Sequence, residues 1–288
     1  MLLYLSAFYF PGEEAESDFL FGLKTTYDQS VYPYGVLPKV ALNEIIFRPV
    51  TILYGGNGSG KSTALNVIAE KLRLVRRSVY NRSRFFEDYV DRCRFSLEEA
   101  IPKESRIITS DDVFDMMLDI RSINEGIDRK REELADDYFQ LKHEKIQVRS
   151  LDDLEQLHRI NQARSKTLSR FIKNESGKSL RERSNGESAL MYFQGKIEMD
   201  TLCLLDETEN SLSPENQLIL ADFLMESVHY CGNQLVISTH SPFLLALPGA
   251  KIINLDDRSQ VVDHWTELKN PRVYYDFFKK HAHEFEED

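Results

Sequence analysis

The sequence predicts an α/β protein, a mixed sheet flanked by helices with an antiparallel β-layer at the N-terminus and a helical insert, all in one domain over residues 1–288. Three segments predict it. The apolar run Val50-Thr51-Ile52-Leu53-Tyr54 enters a glycine-rich turn and leaves through the helical pattern Ala64-Leu65-Asn66-Val67-Ile68-Ala69. Two further buried-type runs, Thr201-Leu202-Cys203-Leu204-Leu205 and Gln234-Leu235-Val236-Ile237, end in polar residues, as strands do where open α/β sheets bind ligands.

The opening Met1-Leu2-Leu3-Tyr4-Leu5-Ser6-Ala7-Phe8-Tyr9-Phe10 reads as a strand stopped by Pro11-Gly12. It lacks the basic start and cleavage-type ending of a signal peptide. The first motif follows at Gly55-Gly56-Asn57-Gly58-Ser59-Gly60-Lys61-Ser62-Thr63, where Gly55, Gly60, Lys61 and Ser62 meet the spacing G-x-x-x-x-G-K-[ST]. Glycines let the backbone curl so that successive N–H groups point inward at phosphates. Lys61 reaches the β- and γ-phosphates, Ser62 ligates Mg²⁺, and the next helix offers its positive end to the anion. This arrangement implies a nucleotide site.

Lys71, Arg73, Arg76, Arg77, Arg82 and Arg84 then occur with no acid until Glu87, and Arg92 and Arg94 follow. The run either holds phosphates or is the solvated side of a helix and a surface connection. A β-like Arg106-Ile107-Ile108-Thr109 comes next. From Val113 to about Lys145, Met116, Ile120, Ile123, Ile127, Leu134, Tyr138 and Leu141 recur mostly at three and four, an amphipathic helix pattern. A second pattern starts at Ser150-Leu151-Asp152-Asp153 and continues through Leu154, Leu157, Ile160, Leu168 and Phe171. The expectation is a short antiparallel helical hairpin at about 113–175, its seam pairing the two helices or recruiting a partner.

Arg183-Ser184-Asn185-Gly186-Glu187-Ser188 precedes another apolar stretch and reads as a helix start that can bind an anion. Asp206 and Glu207 close the run from Thr201 to Leu205, and because side chains alternate along a strand the two cannot do the same job. Asp206 is placed for the Mg²⁺ shell and Glu207 for orienting or deprotonating a water. His240, in Thr239-His240-Ser241-Pro242, stands at a strand's carboxyl end and can bond a γ-phosphate or that water. Ile252-Ile253-Asn254-Leu255 and Val261-Val262-Asp263-His264-Trp265 read as final strands, and Tyr274-Tyr275-Asp276-Phe277-Phe278-Lys279-Lys280 as a packing helix.

Composition narrows the classes. A 288-residue chain with 42% apolar residues can fill one large core. Its net charge of −11 argues against a uniformly basic nucleic-acid coat. Cys93, Cys203 and Cys231 are scattered and odd in number, without C-x-x-C spacing, so no disulfide framework or zinc site is expected and a reducing cytoplasm is the simplest home. No run approaches the roughly 20 apolar residues of a spanning helix, so direct membrane insertion is not expected.

The ordered set of glycine-rich loop, S-N-G-E at Ser184-Asn185-Gly186-Glu187, D-E at Asp206-Glu207 and T-H-S-P at Thr239 to Pro242 resembles the ATP-binding cassette ATPases. Within them the match is to the soluble branch with RecF, SMC and OLD-like proteins. Tyr32-Pro33-Tyr34-Gly35-Val36-Leu37-Pro38, Asn210-Ser211-Leu212-Ser213-Pro214 and Leu247-Pro248-Gly249-Ala250-Lys251-Ile252 resemble small bacterial AAA-family ATPases more closely still. The resemblance implies a P-loop NTPase fold that hydrolyses ATP with Mg²⁺ as a head-to-tail homodimer.

It further implies a site in which Gly55, Asn57, Gly58, Ser59, Gly60, Lys61, Ser62 and Thr63 hold the nucleotide. Ser62 and Asp206 hold the metal, Glu207, His240 and Lys61 act in catalysis, and Ser184 and Gly186 act on the partner's phosphate. The signature keeps its serine and one glycine but carries Glu187 for the usual Gln, Thr208 replaces the proline after D-E, and Ser213 stands near the usual D-loop aspartate. No clear Q-loop glutamine is present, and Ser110 or Asp111 is the candidate for its role. Three roles are implied: a switch or motor in DNA maintenance or anti-phage defence, the nucleotide-binding subunit of a transporter, or a nucleotide-gated regulator of a partner protein. The helical insert and the altered motifs weigh against the transporter, and the arginines favour the first over the third.

Overall fold

The computed structural model describes residues 3–22, 30–143, 160, 161, 165, 167 and 185–285. The chain divides into two compact units, Met1–Val113 with Asn185–Asp288, and Phe114–Ser184.

The first unit is built on a six-stranded sheet. Its order is β5 (Arg106–Thr109), β6 (Leu202–Asp206), β7 (Gln234–Ser238), β3 (Val50–Tyr54), β8 (Lys251–Asn254) and β9 (Gln260–Val262). The first five strands run parallel and β9 pairs antiparallel with β8. Strands β3, β6 and β7 are buried along their whole length, as near-continuous apolar runs covered on both faces must be. A second, antiparallel sheet has the order β2 (Glu44–Ile46), β1 (Leu5–Tyr9), β4 (Arg94–Leu97), which is the expected N-terminal layer.

The described helices include α1 (Glu13–Gly22), α2 (Lys61–Lys71), α3 (Phe86–Arg92), α4 (Ser110–His143), α5 (Asn185–Lys196), α6 (Pro214–Tyr230), α7 (Pro242–Leu245) and α8 (Lys269–Lys280). One core joins Leu5 and Phe8 of β1, Leu65 and Ile68 of α2, Phe86 and Tyr89 of α3, and Leu53, Leu204 and Val236 of the large sheet. Gln234, fully buried on β7, links the two sheets. Its Oε1 accepts from the Tyr4 and Leu5 amides at 2.8 and 2.9 Å, and its Nε2 donates to the Leu5 carbonyl at 2.7 Å.

Two terminal expectations change. The last strand ends at Val262, and Trp265 instead opens a 3₁₀ turn over Trp265–Glu267. Helix α8 is not a packing helix: only Pro271 is buried, while Val273, Tyr274, Tyr275, Phe277 and Phe278 are each more than half exposed. Its first turn is anchored, the Asn270 amide donating to the Tyr54 hydroxyl at 3.1 Å, and the apolar face beyond is uncovered.

In the second unit, helix α4 continues as one run to His143. Its buried side chains include Met117, Asn124, Leu134, Tyr138 and Leu141, whereas the expected seam residue Ile123 is 49% exposed. The buried stripe passes through Asn124 because 117, 124 and 138 are separated by one and two heptads and so share one face. Most of the expected second helix, from Ser150 to Phe171, lies outside the described residues; Ile160 is described and buried.

Candidate functional site

Because β3 lies between β7 and β8, with β6 beyond β7, the carboxyl ends of β3, β6 and β7 form one rim. The Glu207 amide donates to the Ser238 carbonyl and the Thr239 amide to the Leu53 carbonyl, which locks the three strand ends together.

The loop leaving β3 requires its glycines. A Cβ at Gly55 would lie 2.6 Å from Ser59 Oγ and 3.2 Å from Leu255 Cβ. Gly60, which precedes α2, has φ +93°, and a Cβ there would lie 3.1 Å from Leu37 Cδ2 and 3.2 Å from Val36 Cγ1. Asn57 and Gly58 are exposed at the loop tip, Gly58 with φ +80°. Ser59 is buried and its Oγ has no hydrogen-bond partner. The Gly56 amide donates to Asp256 at 2.8 Å, and the Thr63 hydroxyl accepts from Tyr32 at 3.1 Å. An open cleft is lined by Tyr32, Val36, the loop from Asn57 to Thr63, and Glu207.

Lys61 is 4% exposed. Its Nζ donates to the Gly55 carbonyl at 2.7 Å and the Gly56 carbonyl at 3.2 Å, and lies 3.4 Å from Glu207 Oε1 and 2.9 Å from His240 Nε2. That nitrogen is also 3.3 Å from Glu207 Oε1. It serves one neighbour at a time: a neutral ring accepts from Lys61 there, and a ring protonated at Nε2 donates to Glu207.

The two carboxylates at the end of β6 differ, as the alternation of strand side chains requires. Asp206 is buried, its Oδ1 accepting from Ser62 Oγ at 3.1 Å and Ser238 Oγ at 2.5 Å. Burial raises its pKa, opposed by those two hydroxyls. Glu207 leaves the strand at φ 48°, ψ 42°, a left-handed turn that aims its carboxylate back at Lys61 and His240. The hydrogen bond from His240 lowers its pKa, and with Lys61 and Asn210 adding, it outweighs burial and holds Glu207 at about 2.

Sequence reasoning missed a third acid. Glu209 is buried, and its Oε1 accepts from Thr239 Oγ1 at 2.6 Å and from the His240 amide at 2.7 Å, so it fixes the backbone that carries the histidine. Burial raises its pKa as well. The only sequence signal was its place in the D-E-T-E run. Ser238, Tyr32 and Asp256 were missed for the same reason, since their partners are remote in sequence.

Other expected residues are not gathered here. Ser184 lies outside the described residues, and Gly186 sits in the first turn of α5. Among the described residues, neither Ser110 nor exposed Asp111 bonds any residue of the site; the buried acid there is Asp112, which accepts from the Thr109 amide at 2.8 Å. Ser213 caps α6, its Oγ accepting from the Asn216 amide at 3.3 Å. Much of the basic run is engaged within the chain. Arg76 lies over Tyr80 at 3.7 Å, Arg84 over Phe85 and Arg92 over Phe19, while Arg82 pairs with Glu87 at 2.7 Å and Lys71 donates to the Asp91 carbonyl at 3.1 Å. Among the described residues, no helix is long and apolar enough to cross a membrane.

No family model matches the chain, and no curated protein matches it. Among solved structures it is similar to an Smc head domain with an extended coiled coil, bound to the C-terminal domain of ScpA, from Pyrococcus furiosus, at 15% identity over 97% of this chain and 100% of that chain, TM-score 0.42. It is also similar to an SMC head domain from Thermotoga maritima, at 13% identity over 88% and 94% of the two chains, TM-score 0.36. A nucleotide-free ATP-binding cassette from an ABC transporter is similar at 14% identity over 77% and 83%, TM-score 0.36. The likeness is one of fold.

Proposed function

We propose that this protein is a cassette-type ATPase that binds ATP·Mg²⁺ at the loop from Gly55 to Thr63 and hydrolyses it, two copies pairing head to tail around the nucleotide. The observation that carries the reading is the convergence of Lys61, Ser62, Asp206, Glu207 and His240 within hydrogen-bond or ion-pair distance at the rim of one sheet.

The residues present fit both groups. A partnerless buried hydroxyl on Ser59, a glycine backbone with no room for a Cβ at Gly55, a buried lysine and the start of α2 suit a polyphosphate. Ser62 and Asp206 would hold Mg²⁺, an ion that takes one or two carboxylates beside phosphates and water. Among the described residues there is no cluster of three or more His, Cys, Asp or Glu that would favour another metal. Bound there, Mg²⁺ supplies neutralisation of phosphate charge.

Each side chain then has a distinct task. Lys61 binds phosphate oxygen. His240, held by Glu209 through its amide, presents Nε2 to Lys61 and Glu207. Glu207 at about 2 is too weak a base to take a proton fully at neutral pH, so in this arrangement it orients water, and its basicity rises as His240 and Lys61 let go. Ser184 and Gly186 act on the nucleotide of the second copy.

Glu207→Gln should trap ATP and give a dimeric mass by size exclusion with light scattering, and Ser184→Arg should return it to monomer. A strict monomer at saturating ATP refutes the pairing. The cellular role in this reading is a switch or motor in DNA maintenance or anti-phage defence. A second reading, a nucleotide-gated regulator of a partner protein, gains from the arginines already engaged within the chain. ATPase rates with and without duplex DNA at two salt concentrations decide between them, since phosphate contacts give salt-sensitive stimulation.

A further inference from the structure

A second polar pocket lies beside β5, at the edge of the large sheet away from β9. It has a volume of about 110 Å³ and is lined by Arg76, Arg77, Asp112, Tyr192 and Lys196 over an apolar floor that includes Ile107. Two of its groups are buried and unsatisfied. Asp112 is 1% exposed; its Oδ2 accepts from the Thr109 amide and hydroxyl, and its Oδ1 has no partner. Arg76 donates from Nη2 to Asn66 at 2.7 Å and from Nε to the Ser78 carbonyl at 3.3 Å, while its buried Nη1 has no partner.

A buried guanidinium N–H and a buried carboxylate oxygen left unpaired are both costly, and their presence in one pocket asks for a ligand with an acceptor and a donor. One bridging water needs roughly 10–15 Å³ by the same measure, so this pocket has room for something larger. Four cationic side chains, Arg76, Arg77, Arg106 and Lys196, line it beside the single acid Asp112, and even with Arg106 paired to Glu198 they set the charge of the ligand as negative. Asp112 sets the second requirement, a proton on that anion.

We infer that this pocket binds inorganic phosphate through Arg76 and Asp112. Phosphate carries a P–OH throughout the neutral range, and can donate it to Asp112 Oδ1 while its other oxygens accept from Arg76 Nη1. Sulfate has no proton to offer, and a phosphate monoester, with its second pKa near 6, has mostly lost its own at pH 7. A nucleic-acid phosphodiester has none either, so Asp112 excludes the nucleic-acid backbone from this part of the basic run. The inference stands apart from the nucleotide reading.

Calorimetry at pH 7 on full-length Lys61→Ala, in which the loop site is weakened, tests it with inorganic phosphate, sulfate and methyl phosphate. Phosphate should bind at least about tenfold more tightly than either competitor. Adding Arg76→Gln should weaken phosphate about tenfold, and adding Asp112→Asn should bring phosphate and sulfate within about twofold of each other. Equal binding of the three anions by Lys61→Ala overturns the inference, as does no phosphate binding up to about 10 mM or a preference that Arg76→Gln and Asp112→Asn leave unchanged. If Asp112→Asn does not fold, the phosphate-to-sulfate ratio of Lys61→Ala decides alone.

Discussion

Replacing Glu209 by alanine should slow hydrolysis while leaving nucleotide binding nearly intact. Its Oε1 holds two donors, the Thr239 hydroxyl at 2.6 Å and the His240 amide at 2.7 Å, and the first of these is buried. Removing the acceptor of a buried donor costs about 1–3 kcal/mol. The Thr239-His240 backbone can recover that energy by turning the amide toward water, which moves the histidine away from Lys61 and Glu207. At 1.4 kcal/mol per decade, the catalytic geometry becomes about 5- to 150-fold less populated, and kcat falls by that factor. KM should change less than about threefold, because the bonds from Lys61 to the Gly55 and Gly56 carbonyls and from Ser62 to Asp206 do not pass through Glu209 or His240. Glu209→Gln keeps an acceptor in place and should recover most of kcat. Steady-state kinetics on Ala and Gln variants, with thermal melts as a control, test the reasoning. Unchanged kcat in Glu209→Ala refutes it, and so do equal losses in Ala and Gln.

Three further outcomes follow from the geometry. Burial raises the Asp206 pKa, so the folded state holds that proton more tightly than the unfolded chain, and ionisation at neutral pH costs stability; Asp206→Asn should raise the melting temperature of the nucleotide-free protein while abolishing Mg²⁺-dependent hydrolysis, and a lower melting temperature would contradict this. Gln234→Leu strands two amides and a carbonyl of Tyr4 and Leu5 and should cost about 3 kcal/mol or more in urea unfolding, a loss under about 1 kcal/mol counting against the proposed link between sheets. Gly55→Ala places a Cβ 2.6 Å from Ser59 Oγ and 2.9 Å from its Cβ, so ATP affinity should fall at least about tenfold by fluorescence titration, and affinity within about twofold of the parent would show that the loop yields.

What could be read in the sequence follows the range of the forces involved. The loop from Gly55 to Thr63 was legible because its constraint is local: Gly55 meets Ser59 four residues on, and Gly60 needs its own positive φ. The strand ends at Asp206 and His240 were legible because apolar runs stop there. Glu209, Ser238 and Gln234 were not, since their partners lie 30, 32 and about 230 residues away, and a spacing pattern holds no trace of such pairs. Helix α8 shows the opposite failure. Its helical state was read from the sequence and so was its packing role, but apolar residues in a helix say nothing of what covers them, and here they are exposed.

Lys61 links stability to chemistry at the proposed site. Buried at 4% exposure, its charge needs compensation, and Glu207 at 3.4 Å supplies it together with the carbonyls of Gly55 and Gly56. The bond from His240, with this contact adding to it, is what keeps Glu207 near 2 and unfit to accept a proton. On the proposed reading, Lys61 exchanges Glu207 for phosphate oxygens when nucleotide binds, and Glu207 loses one of the charges that depress it. A lysine that neutralises itself on the base in the empty site therefore releases that base only when substrate is present. Hydrolytic competence is then coupled to occupancy through Lys61 Nζ together with release of the bond from His240, the larger of the two causes.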